Sequence, residues 1–171
     1  MNGEIFLIDS NSLITPYLNF YPFDFAGNFW RQMESHITDG EIAILDAVKN
    51  EVLQGKDKLR EWMEHIDIGN YIDHREPQIL QQYGEVLSFI QGEKCYKTAA
   101  LAEWARGSSA DPWLIATAKV KDYTIITFET HNNNLSTWNP SKRAKIPDVA
   151  DAFGVRADNL YYMMRALDFK L

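Results

Sequence analysis

The segment Glu4-Ile5-Phe6-Leu7-Ile8-Asp9-Ser10-Asn11-Ser12-Leu13 constrains this chain more than any other. Ile5 to Ile8 form an unbroken apolar run with the length and residue types of a strand buried on both faces. The run stops at Asp9, and three small polar residues follow. Ser12 is a candidate N-cap for a helix beginning at Leu13. A carboxylate therefore stands where a buried strand emerges, at the carboxyl edge of a sheet. Open α/β sheets bind their ligands at that edge.

Further segments repeat the strand–helix alternation. Ile42 to Leu45 predicts a second buried strand, followed by Asp46 as N-cap of a helix Ala47 to Gln54 that Gly55 closes. Asp111-Pro112 opens a helix with Leu114, Ile115 and Ala118 inside, since proline suits the first helical position after an Asp cap. Tyr123 to Thr127 predicts another strand. Lys145-Ile146 predicts a brief last strand, before a short helix from Pro147-Asp148. Apolar residues at spacings of three and four predict helices over Asn28 to Ile37, Lys58 to Ile66, Glu76 to Gln91, Tyr96 to Arg106 and Leu160 to Leu167. Leu13 to Leu18 predicts a short helix or turn cut by Pro16. Asn19 to Phe25, dense in rings and broken by Pro22, predicts a loop folded back as a lid on the core. The alternative there is base stacking or partner contact.

Strands alternating with helices imply right-handed crossovers and a parallel sheet. The expected fold class is α/β, with a small parallel sheet of four or five short strands covered by helices on both faces. Residues 1–171 are expected to form a single domain, which at this length buries roughly 70% of its unfolded surface.

Composition narrows the function classes. The single cysteine, Cys95, excludes an internal disulfide and a zinc–cysteine cluster and favours a reducing compartment. No apolar run approaches the roughly 20 residues of a membrane span. The start, Met1-Asn2-Gly3-Glu4, lacks the basic n-region of a secretory signal, so a cytoplasmic location is expected. The net charge of −7 opposes a broad electrostatic grip on nucleic acid but leaves room for a local one. It also suits a cluster of metal-binding carboxylates.

The acids fall where such a cluster would form. Asp9 ends the first strand, Glu129 follows the strand Tyr123 to Thr127, and Asp148 follows the candidate strand at Ile146. Crossover helices begin at the same edge, which brings in the starts at Asp46 and Asp111. Glu51 lies about 7 Å down its helix, still within reach. Asp46, Asp111 and Asp148 are also serviceable caps, and Glu129 can be a solvated loop acid. Asp9 and Glu51 border apolar surroundings and need partners. Clustered carboxylates repel unless a cation neutralises them. Oxygen-only donors suit Mg²⁺ or Mn²⁺, and the four histidines show no pair at metal-ligand spacing. A cation held by carboxylates with open water positions serves phosphoryl chemistry.

Asp9-Ser10-Asn11-Ser12-Leu13-Ile14 resembles the opening motif of PIN domains. Glu51 in V-K-N-E-V-L is similar to their second acid, and Asp111 in A-D-P-W-L-I-A-T-A to their third. Thr127-Phe128-Glu129 sits where that family usually has T-x-D, and Ile146-Pro147-Asp148-Val149 resembles a variable fourth position. The likeness runs from about Ile5 to Val155. It implies a PIN-like three-layer α/β/α fold and a metal-dependent ribonuclease of the kind found as toxins of toxin–antitoxin pairs. Asp9, Glu51, Asp111 and Glu129 would be catalytic. Together with Asp148 they would be the Mg²⁺ or Mn²⁺ ligands. Asn11 and Thr127 would position ligands or water. Lys119, Lys121, Lys142, Arg143 and Lys145 are candidates to receive the RNA backbone, with a solvated surface as their other reading. A protein antitoxin is the expected partner, no membrane is involved, and a homodimer stays open. Glu129 departs from the usual Asp, and its longer arm either shifts a metal or leaves the role to Asp148. Two competing readings are a catalytically inactive binding module of the same fold and a dehalogenase-fold phosphatase. The second requires an acid where this chain has Asn11.

Overall fold

A computed structural model describes residues 3–171. The expectation drawn from the start Met1-Asn2-Gly3-Glu4 rests partly on residues outside that range. Five parallel strands form one sheet: β1 (Phe6–Ile8), β2 (Ile42–Leu45), β3 (Tyr71–Ile72), β4 (Thr124–Ile126) and β5 (Ala157–Asp158), in the order β3-β2-β1-β4-β5. The fold class is the expected α/β. Among the described residues the helices are α1 (Asn11–Thr15), α2 (Gly27–Thr38), α3 (Asp46–Leu53), α4 (Lys58–His65), α5 (Pro77–Gly92), α6 (Thr98–Trp104), α7 (Asp111–Lys121), α8 (Ile146–Ala152) and α9 (Leu160–Ala166). None is long and apolar enough to cross a membrane.

The strands are apolar on both faces because both faces are covered. Phe6, Ile8, Ile42, Ile44 and Ile126 pack with residues of α1, α2, α4 and α9. Leu7, Ala43, Leu45 and Ile125 turn the other way, toward α5, α6, α7 and α8. Successive strand residues therefore feed opposite cores, as the two-residue period of a pleated strand requires. Helix α7 lies deepest, with Leu114, Ile115, Ala116, Thr117 and Ala118 all buried. Its small residues let it approach the sheet closely.

Several local expectations need correction. Ser12 caps nothing; its hydroxyl is buried and donates to the Ile126 carbonyl at 3.0 Å, tying the end of β1 to β4. Pro16 does not cut the chain, because its carbonyl accepts from the Tyr21 N–H and the backbone continues as one π-helical turn, Pro16–Phe20. Lys145-Ile146 is not a strand. Lys145 is the extended cap residue of α8, and Pro147, which cannot donate to a ladder, sits in the first turn. The last strand is β5, and β3 was not expected at all; each has two residues, too few to carry a periodic signal. Asp46 and Asp111 are first-turn residues of α3 and α7, whose cap positions fall to Leu45 and Ala110. In the aromatic segment, Tyr21 packs on Phe29 and Phe23 stacks on Trp30 as a lid. Phe20 and Phe25 face solvent.

Candidate active site

From β1 the chain crosses to β2 and β3 on one side, while β4 and β5 lie on the other. The strand order therefore reverses beside β1, which makes the β1–β4 carboxyl ends the crevice of the sheet. The register Leu7↔Ile125, Ile8↔Ile126 carries on so that Asp9 faces Thr127. Asp9 N–H donates to the Ile126 carbonyl at 2.9 Å, and Thr127 Oγ1 donates to Asp9 Oδ2 at 2.9 Å. Asp9 is 3% exposed, so this hydroxyl is the partner that a carboxylate at the end of a buried run requires.

Above this pair opens a cleft of about 420 Å³ whose lining includes Asp9, Asn11, Glu51, Asp111 and Glu129. Glu51 reaches it from α3 and is clamped on both oxygens. Ser10 Oγ donates to Oε2, and the Ala110 N–H donates to Oε1 at 3.2 Å. That clamp ties the β1 loop, α3 and the start of α7 together. Glu129 is held by its longer arm: Oε2 accepts the Ile146 N–H at 2.7 Å, at the beginning of α8, and its own N–H donates to Thr127 Oγ1 at 3.1 Å.

Asp111 is the most strained acid electrostatically. Burial pushes its carboxyl up to about 8, and the charges of Asp9, Glu129, Glu51 and Glu103 push the same way. Burial likewise raises Asp9 to about 6. There the Thr127 hydrogen bond acts against the rise, while Glu129 and Glu51 add to it. A cation placed among these carboxylates would offset both the desolvation and the mutual repulsion. The donor set is all oxygen, which fits Mg²⁺ or Mn²⁺. Arg106, Arg143 and Lys145 also line the cleft, as do Ser108, Ser109 and Glu103. The floor is thus acidic and part of the rim basic.

Other expected residues lie elsewhere. Asp148 is in the first turn of α8, outside the cleft lining, and its Oδ2 accepts the Asn132 N–H at 3.0 Å, holding the loop that follows β4. Its expected place followed from a strand at Ile146 that does not form. Lys119 and Lys121 sit in the last turn of α7, the far end from Asp111, and Lys121 pairs with Glu76 at 2.7 Å. Lys142 is exposed beside Arg143 but does not line the cleft. Ser10 and Arg106 were passed over. Ser10 sits in the same motif as Asp9, and Arg106 ends the segment Tyr96 to Arg106 that the sequence predicts as helix, although α6 stops at Trp104 and leaves Arg106 beyond its end.

Asp46, Asp73 and His74 form a second group that could hold a metal ion, with one ligand atom from each within 4.8 Å of the others. No three of the cleft acids meet that spacing among the described residues. The group at Asp46 is, however, already internally compensated. His74 Nδ1 bonds Asp46 Oδ2 at 2.6 Å, and the Ala47 N–H donates to Asp46 Oδ1 at 2.7 Å. Arg75 grips both oxygens of Asp73 and holds its carboxyl well below the usual range. The acids Asp9, Glu51, Asp111 and Glu129 are wider apart. Asp9, Glu51 and Glu129 are held by neutral hydrogen-bond donors, and none of the four makes an ion pair among the described residues. That spacing suits an ion bound through one or two carboxylates that keeps several waters. His74 escaped the sequence reading because its partner is Asp46, 28 residues away, and the strand that presents it is short.

A family model described as a domain of unknown function, DUF4411, matches residues 6–171. The chain belongs to that family. No curated protein matches the sequence. The matched span begins at the first residue of β1 and takes in every residue that lines the cleft.

Proposed function

We propose that the cleft binds Mg²⁺ or Mn²⁺ and hydrolyses phosphodiester bonds in RNA, as the resemblance to PIN domains implies. The observation that carries this reading is the convergence of Asp9, Glu51, Glu103, Asp111 and Glu129 on one cleft, where desolvation and the other four charges push the half-buried Asp111 up to about 8. Asp9 and Asp111 would hold the ion, with Glu129 at the side nearest α8. Such an ion would polarise the phosphate and supply an activated water. Ser10 and the Ala110 N–H keep Glu51 in one orientation, so that carboxylate need not reorganise as charge develops. Thr127 keeps Asp9 aimed into the cleft. Arg106, Arg143 and Lys145 would receive the substrate's phosphates, which the acidic floor alone would repel.

A separately encoded antitoxin covering the cleft is part of the same proposal. Leu18, Phe20 and Phe25, at 65%, 43% and 75% exposure, offer it an apolar contact near the π-helical turn. The function is tested by RNA cleavage in Mg²⁺, Mn²⁺ and chelator, beside Asp9→Asn. Cleavage that needs metal and is lost in Asp9→Asn is expected. Cleavage by Asp9→Asn at the wild-type rate, or turnover of small phosphomonoesters instead of RNA, contradicts the proposal. Growth arrest on expression of the wild type but not of Asp9→Asn is the expectation for a toxin.

A further inference from the structure

Trp138 is 95% exposed. The other four tryptophans are not: Trp30 and Trp104 are buried, and Trp62 and Trp113 are half-buried against other rings. An indole left in water forgoes a large burial gain, so its position calls for a reason. The segment that carries it also departs from the rest of the chain. Thr130 to Pro147 contains no Asp or Glu, in a protein with 24 acids and 17 Lys and Arg, yet holds Lys142, Arg143 and Lys145. The segment leaves from Glu129, which lines the acidic cleft, and returns to it at Arg143, Ala144 and Lys145.

The segment is held by hydrogen bonds at both feet and within its turn. Asp148 fixes its first foot through the Asn132 N–H. Its second foot is tied down where the Ser141 N–H donates to the Cys95 carbonyl and the Lys97 N–H to the Ser141 carbonyl, each at 2.8 Å. Between them Ser136 to Asn139 closes a tight turn, with the Asn139 N–H on the Ser136 carbonyl and Asn139 Nδ2 on the Asn134 carbonyl. Trp138 occupies the corner of that turn. A held, acid-free segment combining cations with one exposed ring is the equipment of single-strand recognition: cations follow the phosphates and the ring stacks on a base. A duplex keeps its bases stacked inside and offers the indole nothing comparable.

We propose that Trp138 stacks on an unpaired base of the RNA strand whose phosphodiester enters the cleft. This rests on the hydrolase reading above. The test is anisotropy of a short labelled single-stranded RNA in Mg²⁺, with Asp9→Asn as parent protein so that the strand stays intact. Adding Trp138→Ala weakens binding about 5- to 100-fold, while Trp138→Phe keeps most of it. A duplex of the same sequence binds weakly and does not respond to either change. The side chain is exposed, so melting temperatures stay equal. Equal strand affinity with and without Trp138, or an equal loss for strand and duplex, overturns the proposal, as does a parent protein that binds no strand. Metal-dependent cleavage that ignores Trp138 overturns the stacking alone. Trp138-dependent strand binding by a wild type that cleaves nothing in any metal overturns the hydrolase reading alone.

Discussion

Thr127 Oγ1 donates to Asp9 Oδ2 across the β1–β4 junction at 2.9 Å and accepts the Glu129 N–H at 3.1 Å. One hydroxyl thereby fixes two acids of the cleft. Its bond to Asp9 also works against the burial that raises that carboxyl to about 6. Thr127→Val keeps the shape and removes both bonds. The expected outcome is a loss of about 1–3 kcal/mol in denaturant unfolding. The Asp9 carboxyl then rises further, so the pH at which the protein takes up Mn²⁺ moves upward. Thr127→Ser restores both. A Val variant with wild-type stability and metal response contradicts the assignment.

Ser10 plays the corresponding part for Glu51, 41 residues away. Ser10→Ala leaves Glu51 with the Ala110 N–H alone and frees its arm. A several-fold weaker Mn²⁺ affinity with an unchanged overall fold is expected, measured by titration calorimetry and circular dichroism. Unaltered affinity would show that Glu51 needs no clamp.

Asp111 gives stability an unusual pH dependence. A carboxyl near 4 in the unfolded chain and near 8 in the folded one binds its proton more tightly when folded. Below the unfolded value both states are protonated and nothing is lost. From about pH 4 toward 8, stability without metal falls as pH rises. Asp9 contributes over the lower part of that window, up to about 6. Asp111→Asn should flatten the decline above pH 6 in chelator-treated protein, read from denaturant midpoints. A wild-type curve that is flat from pH 6 to 8 contradicts this.

The group Asp46–Asp73–His74 is expected to be a structural tie between the ends of β2 and β3. His74→Ala removes the bonds to Asp46 from the imidazole and costs about 1 kcal/mol. It should leave the response to Mn²⁺ unchanged. Loss of that response would move the metal from the cleft to this group.

The long buried runs made much of this legible. Ile42 to Leu45 forms the strand its sequence announces, and Asp9 and Glu129 lie at strand ends because apolar runs stop there. The α7 start at Asp111-Pro112 was readable from proline chemistry. What stayed hidden depends on partners far away in sequence. Two-residue strands such as β3 and β5 exist only because longer neighbours pair with them, so their segments carry no pattern of their own. Lys145-Ile146 carries the residue types of a strand end, yet Lys145 precedes α8 and the Asp148 carboxylate fastens a loop away from the cleft. Ser10 and His74 act through single hydrogen bonds across the fold, which no local spacing records.

The central claim is that the cleft acids, not another group, receive a divalent cation. Thermal melts of wild-type and Asp111→Asn protein, each in chelator and in saturating Mn²⁺, test it most directly. At a hundred times its dissociation constant one ion adds about 2.7 kcal/mol to the wild type. Asp111→Asn should match or exceed the wild type in chelator, since it removes a half-buried carboxyl whose ionised form desolvation and the other cleft acids disfavour, and gain little from Mn²⁺. Equal Mn²⁺ stabilisation of both proteins, or a strongly destabilised Asp111→Asn in chelator, would contradict the account.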